Sequence, residues 1–379
     1  MKITKLSLVA ALAVSAAFAG GDIAPVEPVV AAPVADCNKD TTVDGKLQAY
    51  YITNDSTDEM FGDHHQLGTA ATLNVAHKLF DNITLNFGAV GYLNLIKSAD
   101  QTFGYFEGSK KGAFFNVANL TATYGDTTLI AGRQLIDSPM FGGFDWVLAP
   151  GAFEAYTIAN KSISNLTLVG TYVTKWRANN SGDFGQDLAG DNYAAGAIYG
   201  ADAISANVWY YNIDAYGVNK YTEVYGDVGY DFGSFDVAGQ IAATDYDTGV
   251  DSTAYGLKAG AEFSGVKLMA AVSNVTDRAA GIVGRDTFYT SSWNTFGSQV
   301  AVANEDTLSW KVGASTELAG ANLEASYAGY GDDGSEFDLI LGYDVTDSVN
   351  LGAVYTNTTP NVENADDVNA LEVFATYKF

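Results

Sequence analysis

The sequence predicts an all-β protein, a transmembrane antiparallel up-and-down β-barrel of about eighteen strands. Three observations predict it. Apolar and polar residues alternate from Val43 onward, which is the period of a β-strand with two different faces. Short turns alternate with longer loops, as in bacterial outer-membrane barrels. The final residue, Phe379, ends an alternating apolar segment.

The two faces of each predicted strand differ in a way that favours a membrane barrel over a soluble β-sandwich. Within residues 83–89, Ile, Leu, Phe and Ala alternate with Thr, Asn and Gly. A sandwich would bury one face completely, but here the second face stays polar. Aromatic rings favour the membrane interface, and we expect them on the outer surface at Tyr124, Tyr172, Trp176, Tyr230, Phe263, Tyr327 and Tyr343.

The connections predict the number of strands. Eight turns and nine loops would join eighteen strands, or sixteen if the weak pair around 192–213 does not form. An even number places both ends of the barrel at the rim of the short turns, which faces the periplasm. The turns are expected at 80–82, 125–126, 162–165, 201–202, 233–234, 264–265, 319–320 and 346–347. The loops are expected at 54–65, 97–112, 134–151, 178–192, 213–219, 245–251, 275–306, 331–335 and 357–367.

The N-terminal residues predict export. Lys2 and Lys5 precede a short apolar run and Ala-Phe-Ala at 17–19, so residues 1–19 have the pattern of a secretory signal peptide. Residues 20–42 contain three of the six prolines, and we interpret them as an extended periplasmic linker. Residues 43–379 would then form the barrel, in the outer membrane of a Gram-negative bacterium. Cys37 stands alone, so it forms no intramolecular disulfide, and its role is open.

The C-terminal segment carries a further signal. Apolar residues alternate from Leu371 to Phe379, and this pattern resembles the assembly signal of bacterial outer-membrane proteins. We therefore expect Tyr377 and Phe379 to direct membrane assembly. An ordinary edge strand would expose an unpaired apolar edge, whereas pairing with residues 43–53 would close the barrel.

Composition excludes several functions. The formal charge of −26 argues against a nucleic-acid partner, while 47% hydrophobic residues argue against a disordered chain. With one cysteine and three histidines, we expect no metal, no cofactor and no catalytic residues. A barrel hydrolase would need a histidine beside a hydroxyl nucleophile on the membrane face, and His77 is the best candidate.

The third long loop, residues 134–151, is the most apolar of the loops. It contains two prolines and three large aromatic residues, so exposure to water would be unfavourable. We expect it to fold into the lumen and narrow it; packing over the rim or against a neighbouring subunit is the alternative. The residues expected at this constriction are Asp137, Pro139, Phe141, Phe144, Asp145 and Trp146.

Four stretches around this loop carry a family resemblance: 131–134 (Ala-Gly-Arg-Gln), 138–139 (Ser-Pro), 148–155 (Leu-Ala-Pro-Gly-Ala-Phe-Glu-Ala) and 170–176 (Gly-Thr-Tyr-Val-Thr-Lys-Trp). Together they resemble the third-loop region of OprD-like outer-membrane porins. The resemblance implies an eighteen-stranded channel for small nutrients, monomeric or trimeric, with loop three at the constriction. Family members that select carboxylates or basic amino acids line the pore with arginines. Here Trp146 stands near one of those places and arginine is scarce, so the family's substrates are not carried over.

Strand parity is expected to point nine charged residues into the lumen. Opposed charges across a narrow pore orient dipolar solutes. The alternative for each residue is that it is an ordinary solvated side chain of the lumen. The nine are Arg133, Glu154, Lys175, Arg177, Glu223, Asp227, Lys258, Glu262 and Lys311.

Taken together, these features favour a porin, a water-filled channel for passive diffusion of small polar solutes, with cations as a narrower option. Its partners would be outer-membrane lipid, lipopolysaccharide and the solutes, and a homotrimer is one option for its assembly. The alternatives are a non-enzymatic structural or adhesion protein, in which the linker at 20–42 anchors the barrel, and a barrel hydrolase.

Overall fold

The computed structural model describes residues 40–56, 59–97, 104–215, 220–301, 304–359 and 366–379. The expected signal peptide, nearly all of the expected linker and Cys37 lie outside these residues. Eighteen strands and three short 3-10 turns are present in the described part. The strands β1 to β18 span Thr41–Asn54, His65–Phe80, Ile83–Ile96, Lys111–Tyr124, Thr127–Gln134, Ala152–Asn160, Leu166–Arg177, Gln186–Ala201, Ile204–Ile213, Tyr221–Asp231, Phe235–Tyr246, Ser252–Phe263, Val266–Thr276, Thr307–Leu318, Ala321–Tyr330, Ser335–Thr346, Val349–Thr359 and Val368–Lys378. The 3-10 turns are Phe106–Gly108, Gly297–Gln299 and Gly331–Asp333.

The strands form one closed antiparallel sheet. Each strand pairs with its neighbours in sequence, and β1 pairs with β18, with Lys46 opposite Lys378. Closure leaves no open sheet edge. The weak pair around 192–213 does form, with Ala201 opposite Ile204 in β8 and β9. The expected barrel of eighteen strands is therefore confirmed and sixteen strands are excluded.

The connections separate into two rims. Short turns lie at one rim, together with the start of β1 and the end of β18, and the longer loops lie at the other. The largest boundary difference from the expectation is at β8, which begins at Gln186 within the loop expected at 178–192. This polar segment pairs with the end of β7, where Trp176 lies opposite Gln186. In the described residues no helix is long and apolar enough to cross a membrane.

The outer face of the barrel is apolar and aromatic. In β12, Tyr255, Leu257 and Phe263 are 50%, 64% and 77% exposed, as residues that face lipid should be. Six of the seven aromatic residues expected outside are exposed in this way. Trp176 is the exception: it stacks on the buried Phe153 inside the barrel.

Two loops fill much of the interior. Loop three (135–151) folds inward, and so do the described parts of loop seven (277–301 and 304–306), an inward path that the sequence did not predict. Buried side chains of loop seven include Asp286, Phe288 and Thr290. The interior clusters that result combine both loops with the inner faces of the strands.

Candidate functional site

Loop three crosses the interior of the barrel. It begins at β5 and ends at β6, yet its tip is held by β1 and β18. Lys46 Nζ on β1 lies 2.7 Å from Asp145 Oδ2, and Gln48 Nε2 donates to the Val147 carbonyl at 2.9 Å. The indole of Trp146 donates from Nε1 to Glu372 Oε2 on β18 at 3.1 Å. These contacts explain why the apolar loop is not exposed at the rim.

The base of loop three is held by a buried ion pair. Arg177, at the end of β7, pairs with Glu107 of loop two, and both side chains are fully buried. Arg177 Nη1 also donates to the Pro150 carbonyl at 2.9 Å, and its guanidinium lies over the Phe114 ring. Burial raises the pKa of Glu107, and the positive charge of Arg177 opposes that rise. The pair therefore joins three segments that are distant in sequence.

Loop seven packs directly against loop three. The Gly142 N–H donates to the Val283 carbonyl at 3.0 Å, and the Val283 N–H donates to the Met140 carbonyl at 2.9 Å. Arg285 also forms an ion pair with Asp137. Within loop seven, buried Asp286 accepts hydrogen bonds from the Ser291 hydroxyl and the Ser298 N–H, each at 3.0 Å, and its burial raises its pKa. The two loops thus form one packed unit.

The tip of loop seven is held by carboxylates of the wall. The N–H groups of Trp293 and Asn294 donate to Asp338 at 3.1 Å and to Glu336 at 2.6 Å, both on β16. The Trp293 indole donates from Nε1 to Glu372 Oε1 at 3.0 Å. The tips of loops three and seven therefore meet at Glu372, where Tyr50 donates a third hydrogen bond.

A cavity of about 1510 Å³ lies between this meeting point and the turn rim. Trp146 and Trp293 line it at the loop side, and Asp81 and Gly265 line it at the turn side. Asparagine and threonine side chains cover much of its wall. The charged residues that line it are Asp44, Lys46, Lys78, Asp81, Asp145, Lys267, Glu317, Glu324, Asp344 and Lys378.

The structure places the six residues expected at the constriction in three different surroundings. Asp145 and Trp146 line the cavity, and the Phe144 ring lies 6.4 Å from that of Trp146. Asp137 pairs with loop seven, and Pro139 is half-buried near it. The expectation for Phe141 is wrong, because its side chain is fully buried against Phe153 and cannot touch a solute.

Sequence reasoning missed three residues at this meeting point: Tyr50, Trp293 and Glu372. A signal existed for Glu372, an acidic residue on the polar face of an otherwise apolar last strand. No comparable signal existed for Trp293, since its position depends on contacts with β16 and β18.

Three of the nine charged residues expected in the lumen face outward instead. Glu154 shares its face with Tyr156, which is 62% exposed, and it lies opposite Arg133 and Lys175 in the neighbouring strands. Leu129 and Ile130 are both aliphatic, so alternation near Arg133 was ambiguous. For Lys175, an extra residue after Val173 shifts the register and reverses the parity. The same shift turns Trp176 inward.

Arg177 is also misplaced by the parity argument, since it is buried among loops rather than in the open lumen. The remaining five charged residues lie on inner faces. Of these, Glu223 is buried beneath loop seven and accepts a hydrogen bond from the Gly281 N–H at 3.0 Å. Lys311 is likewise buried and donates to the Ser291 carbonyl at 2.7 Å. The others on inner faces are Asp227, Lys258 and Glu262.

Within the described residues, no group of three or more His, Cys, Asp or Glu side chains is arranged to hold a metal ion.

A closed eighteen-stranded barrel narrowed by inward loops defines an outer-membrane porin. The chain belongs to the Campylobacter major outer membrane protein family, whose model matches residues 1–372. No curated protein matches it.

Solved porin structures share the fold. A BenF-like porin from Pseudomonas fluorescens superposes with a TM-score of 0.75 at 14% identity, over 90% of this chain and 99% of that one. OpdK from Pseudomonas aeruginosa gives 0.74 at 15% identity, over 90% and 98%. OpdO from the same organism gives 0.71 at 18% identity, over 90% and 97%. The expected OprD-like architecture is confirmed, and at such identities the likeness concerns the fold alone.

Proposed function

We propose that this porin passes small polar solutes by passive diffusion and prefers cations. The observation that carries the proposal is the lining of the cavity, where six carboxylates face four lysines and no arginine. Lys46 and Asp145 are paired with each other, which leaves five carboxylates and three lysines in the lining. A lumen with excess negative charge concentrates cations and disfavours anions.

Planar bilayer recordings test this proposal. We expect the purified protein to give ohmic current steps, and a KCl gradient to give a reversal potential that favours potassium. Neutralising Glu317 and Glu324 together (E317Q/E324Q) should reduce that preference, because both line the cavity. Glu154→Gln is the matched control, since Glu154 faces outward. Absence of current steps would refute the channel, and chloride preference would refute the cation selectivity.

We further propose the orientation and assembly of the porin in the outer membrane. Residues 1–19 would be removed on export, the turn rim and both ends of the barrel would face the periplasm, and residues 20–42 would form a periplasmic linker. The loop rim would contact lipopolysaccharide, and the assembly is either a monomer or a homotrimer. A mature N-terminus at Gly20 is the expected result, and the mass of the protein extracted in mild detergent distinguishes the two assemblies.

We also propose that the protein is a channel without enzymatic activity. The contact to test is that of His77 Nδ1 with the Thr41 hydroxyl, at 2.8 Å, because a histidine beside a hydroxyl is the arrangement a hydrolase requires. We expect His77→Ala to leave phospholipid turnover unchanged. A loss of turnover in that variant would favour the hydrolase alternative.

A further inference from the structure

We propose that the aromatic residues at the meeting point of the two loops form a binding subsite for organic cations, such as alkylammonium groups. The inference rests on the proposed channel and names a class of solute for it. Trp146 and Trp293 come from different loops, yet both donate their indole N–H to Glu372, at 3.1 and 3.0 Å. Both rings are half-buried and line the cavity.

Two further rings complete the aromatic lining. Tyr50 and Phe374 stack with their centroids 5.6 Å apart and their planes 8° from parallel, and both line the same cavity. The Tyr50 hydroxyl donates to Glu372 as well. Four aromatic side chains, on two strands and two loops, are thus grouped around one carboxylate, which fixes the orientation of three of them.

The charge of this environment favours a cation over a neutral or anionic ligand. The face of an aromatic ring carries partial negative charge, and clusters of such rings bind quaternary ammonium groups. Lys46 and Asp145 are 2.7 Å apart, so their charges offset each other. The Glu372 carboxyl group, which accepts both indole N–H groups, remains beside the rings.

Blocking of the open channel tests the subsite. Tetrapropylammonium added to a bilayer that contains the intact porin should interrupt the potassium current with resolvable events. In the Trp146→Leu and Trp293→Leu variants we expect the residence time of these events to fall by about tenfold, because leucine fills space without a π-system. The Phe variants at both positions should retain most of the residence time. Trp310→Leu is the control, since Trp310 faces outward and is 44% exposed.

The outcomes separate this inference from the channel itself. Residence times that are unchanged in both Leu variants, with potassium conductance intact, would overturn the subsite and leave the channel standing. An equal loss in the Phe and Leu variants would also overturn it, because the aromatic faces would then not be what binds. Absence of potassium current in the unaltered protein would refute the channel first.

Discussion

At the residue scale, the buried pair of Arg177 and Glu107 is the contact whose loss we expect to be most destabilising. In Arg177→Ala, Glu107 would stay buried without its counter-charge, and the Pro150 carbonyl would lose a donor. Breaking a buried pair in this way costs about 3–5 kcal/mol. The temperature at which the folded band converts to the unfolded band on a denaturing gel measures the effect.

The loss of stability caused by Arg177→Ala should become smaller as the pH falls. Burial raises the pKa of Glu107, and without Arg177 only the hydrogen bond from the Gly182 N–H opposes that rise. A protein in which folding raises the pKa of a carboxyl loses stability as the pH rises above the unfolded-state pKa of about 4.3. The protein regains that stability in acid, where the carboxyl is neutral in both states. Arg133→Ala, whose ion pairs are partly exposed, should cost at most about 1 kcal/mol. An equal loss of stability for Arg177→Ala in acid and at neutral pH would contradict this account.

Alternation predicts which face a residue occupies only while the strand stays regular. It places Lys258 on the inner face of β12, where its ammonium lies 5.0 Å from the centre of the Tyr289 ring. It fails for Lys175, because a single extra residue after Val173 changes the register and leaves no mark in the composition. Alternation also cannot predict the position of Arg177, because its partners lie on two loops far away in sequence.

At the element scale, loop seven is the segment whose inward position we expect to control the current. Glu336 accepts hydrogen bonds from the Asn294 N–H and the Thr295 hydroxyl, each at 2.6 Å. An intramolecular hydrogen bond contributes about 0.5–1.5 kcal/mol, so the two bonds together contribute about 1–3 kcal/mol. In Glu336→Ala, we therefore expect the fraction of molecules with a released loop tip to rise about tenfold. The expected observation is added current noise and a higher mean conductance.

Glu317→Ala is the matched control for loop seven. It removes a carboxylate that lines the cavity, and Glu317 lies near the turn rim on β14, away from the tip of the loop. If both variants change the current noise equally, the effect comes from lumen charge. That result would refute the proposal that Glu336 holds the tip of loop seven in place.

The strands were predictable from the sequence because their faces meet lipid and water, so each carries its own pattern. The short turns were predictable for a related reason, since Asp, Asn, Ser and Gly cluster between the alternating segments. The path of loop seven was not predictable, because its anchors, Glu223 on β10 and Glu336 on β16, become neighbours only when the barrel closes.

At the scale of the whole molecule, closure depends on the seam between β1 and β18. The Phe379 carbonyl accepts a hydrogen bond from the Gly45 N–H at 2.9 Å, and the Phe379 N–H donates to the Gly45 carbonyl at 3.0 Å. The ring covers Gly45 so closely that a Cβ there would lie 2.7 Å from Phe379 Cζ. Glycine is thus required beneath the ring, and the last residue completes the sheet.

We therefore expect Phe379→Ala to reduce the fraction of folded barrel in cells several-fold, measured on gels of unheated outer membranes. Phe263→Ala is the control, because Phe263 is an exposed aromatic residue at the same rim, outside the seam. Refolding into detergent without cellular factors separates two causes. If refolding is also impaired, the ring stabilises the seam itself; if it is normal, Phe379 acts as a signal read during assembly. An unchanged folded fraction in cells would show that the C-terminal aromatic residue has neither role.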